Sequence, residues 1–224
     1  MTTSSNPAPL RLGIAGLGTV GAGVIKIITG APELLGARAG RTLEIVAVSA
    51  RSRDKDRGVD LDSATWHDDP ASLAGSDDID VFVELIGGEG DPAYSAVKAA
   101  LQAGKHVVTA NKALIAEHGT ALATQADVSG VALAFEAAVA GGIPIIKALR
   151  EGMAANEVTK VSGILNGTCN YILTEMEETG GEFSAILKDA QDLGYAEADP
   201  TFDIGGFDTA HKLAIPTSLA FGPP

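Results

Sequence analysis

Residues able to do chemistry gather at a few points of this chain, and the first is Gly16-x-Gly18-x-x-Gly21, with Leu17, Thr19 and Val20 between the glycines. A dinucleotide pyrophosphate needs a tight turn, a close main-chain approach and a helix N-terminus with free N–H groups, and this spacing supplies all three. A glycine turn without a ligand has the same pattern, so context decides. The apolar run Leu10–Ala15 precedes it and an apolar-periodic run at Val20, Val24, Ile25, Ile27 and Ile28 follows, giving strand, turn and helix in the order a nucleotide fold demands. At the end of the next apolar run an acidic side chain would bond the ribose 2′-OH of NAD, yet the residues are Ser49-Ala50-Arg51-Ser52-Arg53. Arg51, Arg53 and the two serines suit a 2′-phosphate, so NADP is expected ahead of NAD. A solvated basic loop is the other reading.

Two further points close strands at what would be the same carboxyl edge of an open sheet. Ile86-Gly87-Gly88 lets a ligand approach the main chain at Gly87, and Thr109-Ala110-Asn111-Lys112 puts Lys112 at a helix start, where the dipole does not favour a cation. Later, Asn166-Gly167-Thr168-Cys169-Asn170-Tyr171 opens a helix and offers N–H groups beside Thr168 and Asn170 to a carboxylate, or simply caps that helix. The densest charged stretch runs from Gly194-Tyr195-Ala196-Glu197-Ala198-Asp199-Pro200 through Asp203 to Asp208-Thr209-Ala210-His211-Lys212. Asp208 and Lys212 are four apart on a helix and can pair. The acids match no calcium loop and the histidines no zincin spacing. Cys169, the single cysteine, is either a small packed side chain or a nucleophile with His211 or His106 as base.

The elements expected to hold these residues are strands over Leu10–Ala15, Leu43–Ser49, Ile79–Ile86, His106–Thr109 and Val131–Phe135, from their apolar runs. Helices are expected after the glycine turn, over Asp91–Ala103 and over Ala113–Ser129, with a loop from Gly30 to Gly40. The alternation makes a Rossmann-type α/β domain over residues 10–136, behind a flexible leader at 1–9. Beyond Ala137, helices over Pro144–Met153, Cys169–Thr179, Phe183–Leu193 and Phe207–Phe221 surround one strand over Lys160–Leu165, an α+β substrate domain over 137–224.

Composition sets the outer limits. The 224 residues are 46% hydrophobic and 20% charged, with 16 basic against 29 acidic side chains and a net charge of −13. A field of that sign opposes nucleic acid and anionic lipid, so any anionic ligand needs a local positive site. No run reaches the roughly 20 apolar residues of a bilayer span. Residues 1–9 lack the basic and apolar regions of a signal peptide, and a lone cysteine forms no intramolecular disulfide, so a cytoplasmic location is expected.

In combination, these motifs resemble homoserine dehydrogenases. The resemblance runs from about Leu12 to Gly222 and includes Glu84-Leu85-Ile86-Gly87-Gly88, Thr109–Lys112, Glu136–Ile146, Asn166–Leu173, Gly194–Pro200 and Asp208–Leu213. It implies NAD(P)-dependent interconversion of L-homoserine and L-aspartate 4-semialdehyde, on the way to threonine and methionine, by a homodimer. It makes Lys112 and Lys212 the active-site lysines, with Lys212 the proton donor. It puts Glu197 and Asp208 on the substrate, Asp203 and Tyr195 nearby, Thr168 at the amino-acid end, and Gly194 near the cofactor. It also implies a monovalent cation such as sodium on the main-chain oxygens of Glu136, Val139, Gly141 and Ile143. Family members usually continue past Phe221-Gly222-Pro223-Pro224, so the substrate domain is expected to be incomplete. That leaves a non-catalytic nucleotide-binding fragment as one alternative, and the lone Cys169 beside Asn170 leaves a phosphorylating semialdehyde dehydrogenase as another.

Overall fold

The computed structural model describes residues 7–222. Of the leader expected over 1–9, residues 1–6 lie outside them. By its contacts the chain divides into two units, one ending at Gly142 and one beginning at Ile143.

In the first unit, continuous apolar runs become strands, and the central ones are buried on both faces as in a parallel sheet. The strands are β1 (Leu10–Ala15), β2 (Leu43–Ser49), β3 (Thr65–His67), β4 (Val81–Glu84), β5 (His106–Thr109) and β6 (Leu133–Ala134). Every pairing is parallel and the order is β3-β2-β1-β4-β5-β6, that of a Rossmann sheet. Between them run α1 (Thr19–Gly30), α2 (Pro32–Ala39), α3 (Pro70–Ala74), α4 (Ala93–Gln102) and α5 (Lys112–Ser129). Ile25 of α1 packs with Leu12, Ile14, Leu17, Val48, Val81 and Val83 in a core on one face of the sheet.

The expected loop at 30–40 is helical. Pro32 starts α2, Glu33 sits in its first turn, Arg38 in its last, and Gly40 closes it in the left-handed conformation. None of its residues is buried, so apolar periodicity could not announce it. β3 and α3 also escaped sequence reading: β3 is Thr65-Trp66-His67, too polar and too short to make an apolar run, and α3 is barely more than one turn. Among the described residues no single helix is long and apolar enough to cross a membrane. The bent pair α1 and α2 passes that test only jointly, across an 87° turn.

The second unit is built from α6 (Ile145–Lys147), continued by a π-helical turn over Ala148–Gly152, then α7 (Gly167–Thr179), α8 (Phe183–Asp192), α9 (Thr201–Ile204) and α10 (Phe207–Phe221). The expected strand over Lys160–Leu165 carries no ladder. A strand needs a neighbour for its N–H and C=O groups, and no other strand occurs among the described residues of this unit. One core cluster is Ile172, Ile186, Ala190 and Ala196, and Ile146 and Ile215 are buried as well. Pro216 is buried inside α10, where it withholds the N–H that would bond the Lys212 carbonyl.

Candidate active site

The three glycines of the first turn do three different things. Gly16 has φ +95°, and a Cβ there would strike the main chain of Leu85 and Ile86 beyond β4. A Cβ on Gly21 would strike the Gly16 carbonyl, so this residue seats α1 against the turn. Gly18 faces open space and caps α1 without any side-chain acceptor, and α1 has no acidic residue in its first turn. Thr19 and Val20 are exposed at the start of a helix that has neither a side-chain cap nor an acidic residue in its first turn. These residues fit a pyrophosphate.

Beyond β2, Arg51, Ser52 and Arg53 are exposed, with no carboxylate at the ribose position of Ser49 or Ala50. Sequence reading gave no part to Arg57 in this loop. Its guanidinium donates to the carbonyls of Leu17 (3.2 Å), Lys55 (2.6 Å) and Ser52.

At the ends of β4 and β5 stands a carboxylate that sequence reading left without a role. Glu84 is fully buried. Its Oε1 accepts the N–H groups of Ile86 (2.8 Å) and Gly87 (3.0 Å), and its Oε2 accepts the Thr109 hydroxyl at 2.5 Å. The Asn111 side chain donates to the Gly88 carbonyl at 2.6 Å, while its Oδ1 caps α5 by accepting from Leu114 N at 3.1 Å. The Gly87-Gly88 turn and the start of α5 are therefore tied into one hydrogen-bonded block. Lys112, half-buried, is the first residue of that helix. The only legible sign of Glu84 was an acid ending an otherwise apolar strand, which demands donors in the next few residues.

The second unit gathers several of the expected residues. Asp208 is 3% exposed, and its Oδ2 accepts from Lys212 Nζ at 2.8 Å and from Asn166 Nδ2 at 2.8 Å. Lys212 also donates to the Leu165 carbonyl at 3.0 Å. Asn166 donates again to Asp203 Oδ1 at 2.8 Å, and the Thr168 hydroxyl bonds the Tyr195 carbonyl at 2.6 Å. Asn166 was missed as an organiser, and it also corrects the carboxylate cradle expected at the start of α7. Its Oδ1 takes the Cys169 N–H at 2.8 Å and its carbonyl takes the Asn170 N–H at 3.1 Å, so these donors cap the helix. Glu197 stands apart, exposed, with only its carbonyl drawn in by Gln191 at 3.0 Å.

A cavity of about 610 Å³ opens beside this cluster, lined by Thr168, Asn170, Tyr171, Gly194 and Tyr195 among others. The rings of Tyr171 and Tyr195 meet at 5.0 Å. Cys169 is half-buried, its Sγ 3.3 Å from the Asp203 carbonyl. Desolvation, followed by the charges of Asp203 and Asp208, pushes its thiol above the ordinary range, the opposite of what a nucleophilic cysteine needs.

Of the residues expected to hold a cation, Glu136, Val139 and Gly141 belong to the first unit and Ile143 to the second. Glu136 opens a short 3-10 turn and its carbonyl receives the Val139 N–H at 3.5 Å, Gly141 is exposed, and the Ile143 carbonyl receives the Ile145 N–H at 2.8 Å.

A parallel sheet in Rossmann order with its glycine turn defines the class of dinucleotide-binding folds, and the helical unit that follows carries the Asp208–Lys212 pair. Two family models match: "Homoserine dehydrogenase, NAD binding domain" over residues 16–136 and "Homoserine dehydrogenase" over 144–224. The chain belongs to the homoserine dehydrogenase family. It is 51% identical over 216 residues to a homoserine dehydrogenase of Neisseria gonorrhoeae, covering 96% of this chain and 49% of that protein. The crystal structure of a homoserine dehydrogenase from Thiobacillus denitrificans superposes with a TM-score of 0.89 at 48% identity, covering 98% of this chain and 51% of the other. A hyperthermophilic archaeal homoserine dehydrogenase in complex with NADPH gives a TM-score of 0.82 at 28% identity, covering 96% and 71%. The chain spans about half the length of the curated relatives it matches.

Proposed function

We propose that this chain carries the cofactor-binding and catalytic residues of an NADP(H)-dependent homoserine dehydrogenase, acting as a homodimer in the cytoplasm on L-aspartate 4-semialdehyde and L-homoserine. The observation that carries the reading is the pair of buried Asp208 and half-buried Lys212, fixed by Asn166, in the unit that matches the homoserine dehydrogenase model.

Gly16, Gly18, Thr19, Val20 and Gly21 would hold the pyrophosphate, Arg51 the 2′-phosphate, and Gly87 and Gly194 the nicotinamide side. When bound, the reduced nicotinamide supplies a hydride. The protein's own part is to place the substrate and move one proton. Reduction of the aldehyde leaves an alkoxide, and Lys212, held by Asp208, is the acid that protonates it; in the reverse direction it receives the hydroxyl proton. Glu197, Asp203 and Asp208 would meet the substrate ammonium, while Thr168 and Tyr195 border the cavity at its amino-acid end. Lys112, on the first unit, is the second active-site cation. A monovalent cation on the hard main-chain oxygens of Glu136, Val139, Gly141 and Ile143 would be structural.

Absorbance of reduced nicotinamide, followed with homoserine and either cofactor, tests the reading. Homoserine-dependent reduction of NADP is the expected result. A folded protein that binds NADPH but turns over with neither cofactor overturns the catalytic claim.

A further inference from the structure

Arg57 makes an unusual set of bonds for a half-buried arginine in a polar loop. Nε donates to the Leu17 carbonyl at 3.2 Å, between the first two glycines of the turn. Nη1 donates to the carbonyls of Lys55 at 2.6 Å and Arg53 at 3.4 Å, and Nη2 donates to that of Ser52. One face of the guanidinium lies 5.6 Å from the centre of the Trp66 ring, and Arg53 lies 5.9 Å from the same ring. Trp66 is itself fixed, since β3 pairs it with Val48 of β2 and its indole N–H donates to Asp68 at 2.9 Å.

A planar fork of donors whose hydrogen bonds go to main-chain carbonyls acts as a clip. It joins the segment that would hold the pyrophosphate to the segment that carries Arg51, Ser52 and Arg53. On the ligand the distance from pyrophosphate to ribose 2′-phosphate is set by covalent structure, so discrimination between NADPH and NADH depends on the two segments being held at a matching distance. The loop itself has no strand or helix from Arg51 to Ala64 to do this.

We infer that Arg57 is a positioning residue for cofactor choice: without contacting the 2′-phosphate, it fixes the Arg51–Arg53 segment against the glycine turn and so sets the preference for NADPH over NADH. The inference rests on the NADP(H) reading above. Neither Lys nor Ala can reproduce it, because an ammonium cannot present donors to Leu17, Lys55 and Ser52 in one plane.

The test is calorimetric titration of the wild-type chain, Arg57→Ala and Arg57→Lys with NADPH and with NADH, with thermal melting as a check on folding. The wild type is expected to bind NADPH more tightly. Both variants are expected to lose about tenfold or more in NADPH affinity, the equivalent of one charge-assisted hydrogen bond, while NADH affinity changes by no more than about twofold. Equal losses for both cofactors, or no loss in folded variants, overturn the inference while leaving the NADP(H) reading intact. A wild type that prefers NADH overturns both. If neither variant folds, Arg57 belongs to the fold and the inference is overturned as well.

Discussion

At Asp208 one carboxylate oxygen carries both Asn166 and Lys212, and the Leu165 carbonyl also accepts from the Lys212 ammonium, while 24% of the Lys212 side chain is exposed. If Lys212 is the proton donor, Lys212→Ala in a protein that turns over lowers kcat by about 10²–10⁴-fold with little change in NADPH affinity. Stopped-flow and binding titrations separate the two, and near-normal turnover moves the role to Lys112 or an ordered water. Cys169 gives a contrasting expectation. With its thiol held above the ordinary range, it stays protonated at neutral pH, and iodoacetamide labelling should be slow at pH 7 and quicken only in alkaline solution. Fast labelling at pH 7 contradicts this. At this scale the sequence was partly informative: the four-residue spacing of Asp208 and Lys212 announced their pair. Asn166 was harder to read because it bonds Asp203 and Asp208, 37 and 42 residues away, and only folding supplies such partners.

Elements are joined here by buried polar groups at strand ends. Glu84 accepts two N–H groups and one hydroxyl at zero exposure, so Glu84→Ala strands several donors and is expected to destabilise the first unit by about 3 kcal/mol. Denaturant unfolding reads this, and Glu84→Gln, which keeps the acceptor, should recover much of it. At the opposite end of β4, Asp80 accepts from the Arg11 main chain at 2.9 Å and from its guanidinium at 2.7 Å. The Arg11 hydrogen bond leads in holding the Asp80 carboxyl below its ordinary value, against partial desolvation. A depressed folded-state value means stability that is present above the unfolded carboxyl pKa and is lost as pH falls through the folded one. Asp80→Asn should therefore lower Tm at pH 7 and lose the difference from wild type in acid. An equal Tm gap at pH 7 and pH 2.5 contradicts the assignment. β1 and β4 were legible because they are buried over most of their length and read as continuous apolar runs. The helix over Pro32–Ala39 was not, since nothing in it reaches the core.

Across the whole molecule the two units rest on unequal foundations. The first has a six-stranded ladder and an extensive apolar core, whereas the second is built of helices around a smaller cluster of Ile172, Ile186, Ala190 and Ala196. Local opening is easiest where few apolar contacts oppose it. Hydrogen exchange should therefore find the slowest amides in β1, β4 and β5, with those of α7 to α10 exchanging sooner; the reverse order contradicts this reading. The fold of the first unit was legible nearly strand by strand, while the Lys160–Leu165 segment was misread because its pattern specifies an apolar ribbon without saying what pairs with it. The glycine turn also separates two kinds of inheritance. Gly16 and Gly21 answer to the architecture, since any other residue meets main chain there and drift is closed whether or not a nucleotide is bound. Gly18 answers only to its guest: at φ −77° and ψ −160°, with empty space where a side chain would stand, another residue is compatible with folding. A descendant that abandoned the dinucleotide would be free to lose this one glycine while keeping the other two.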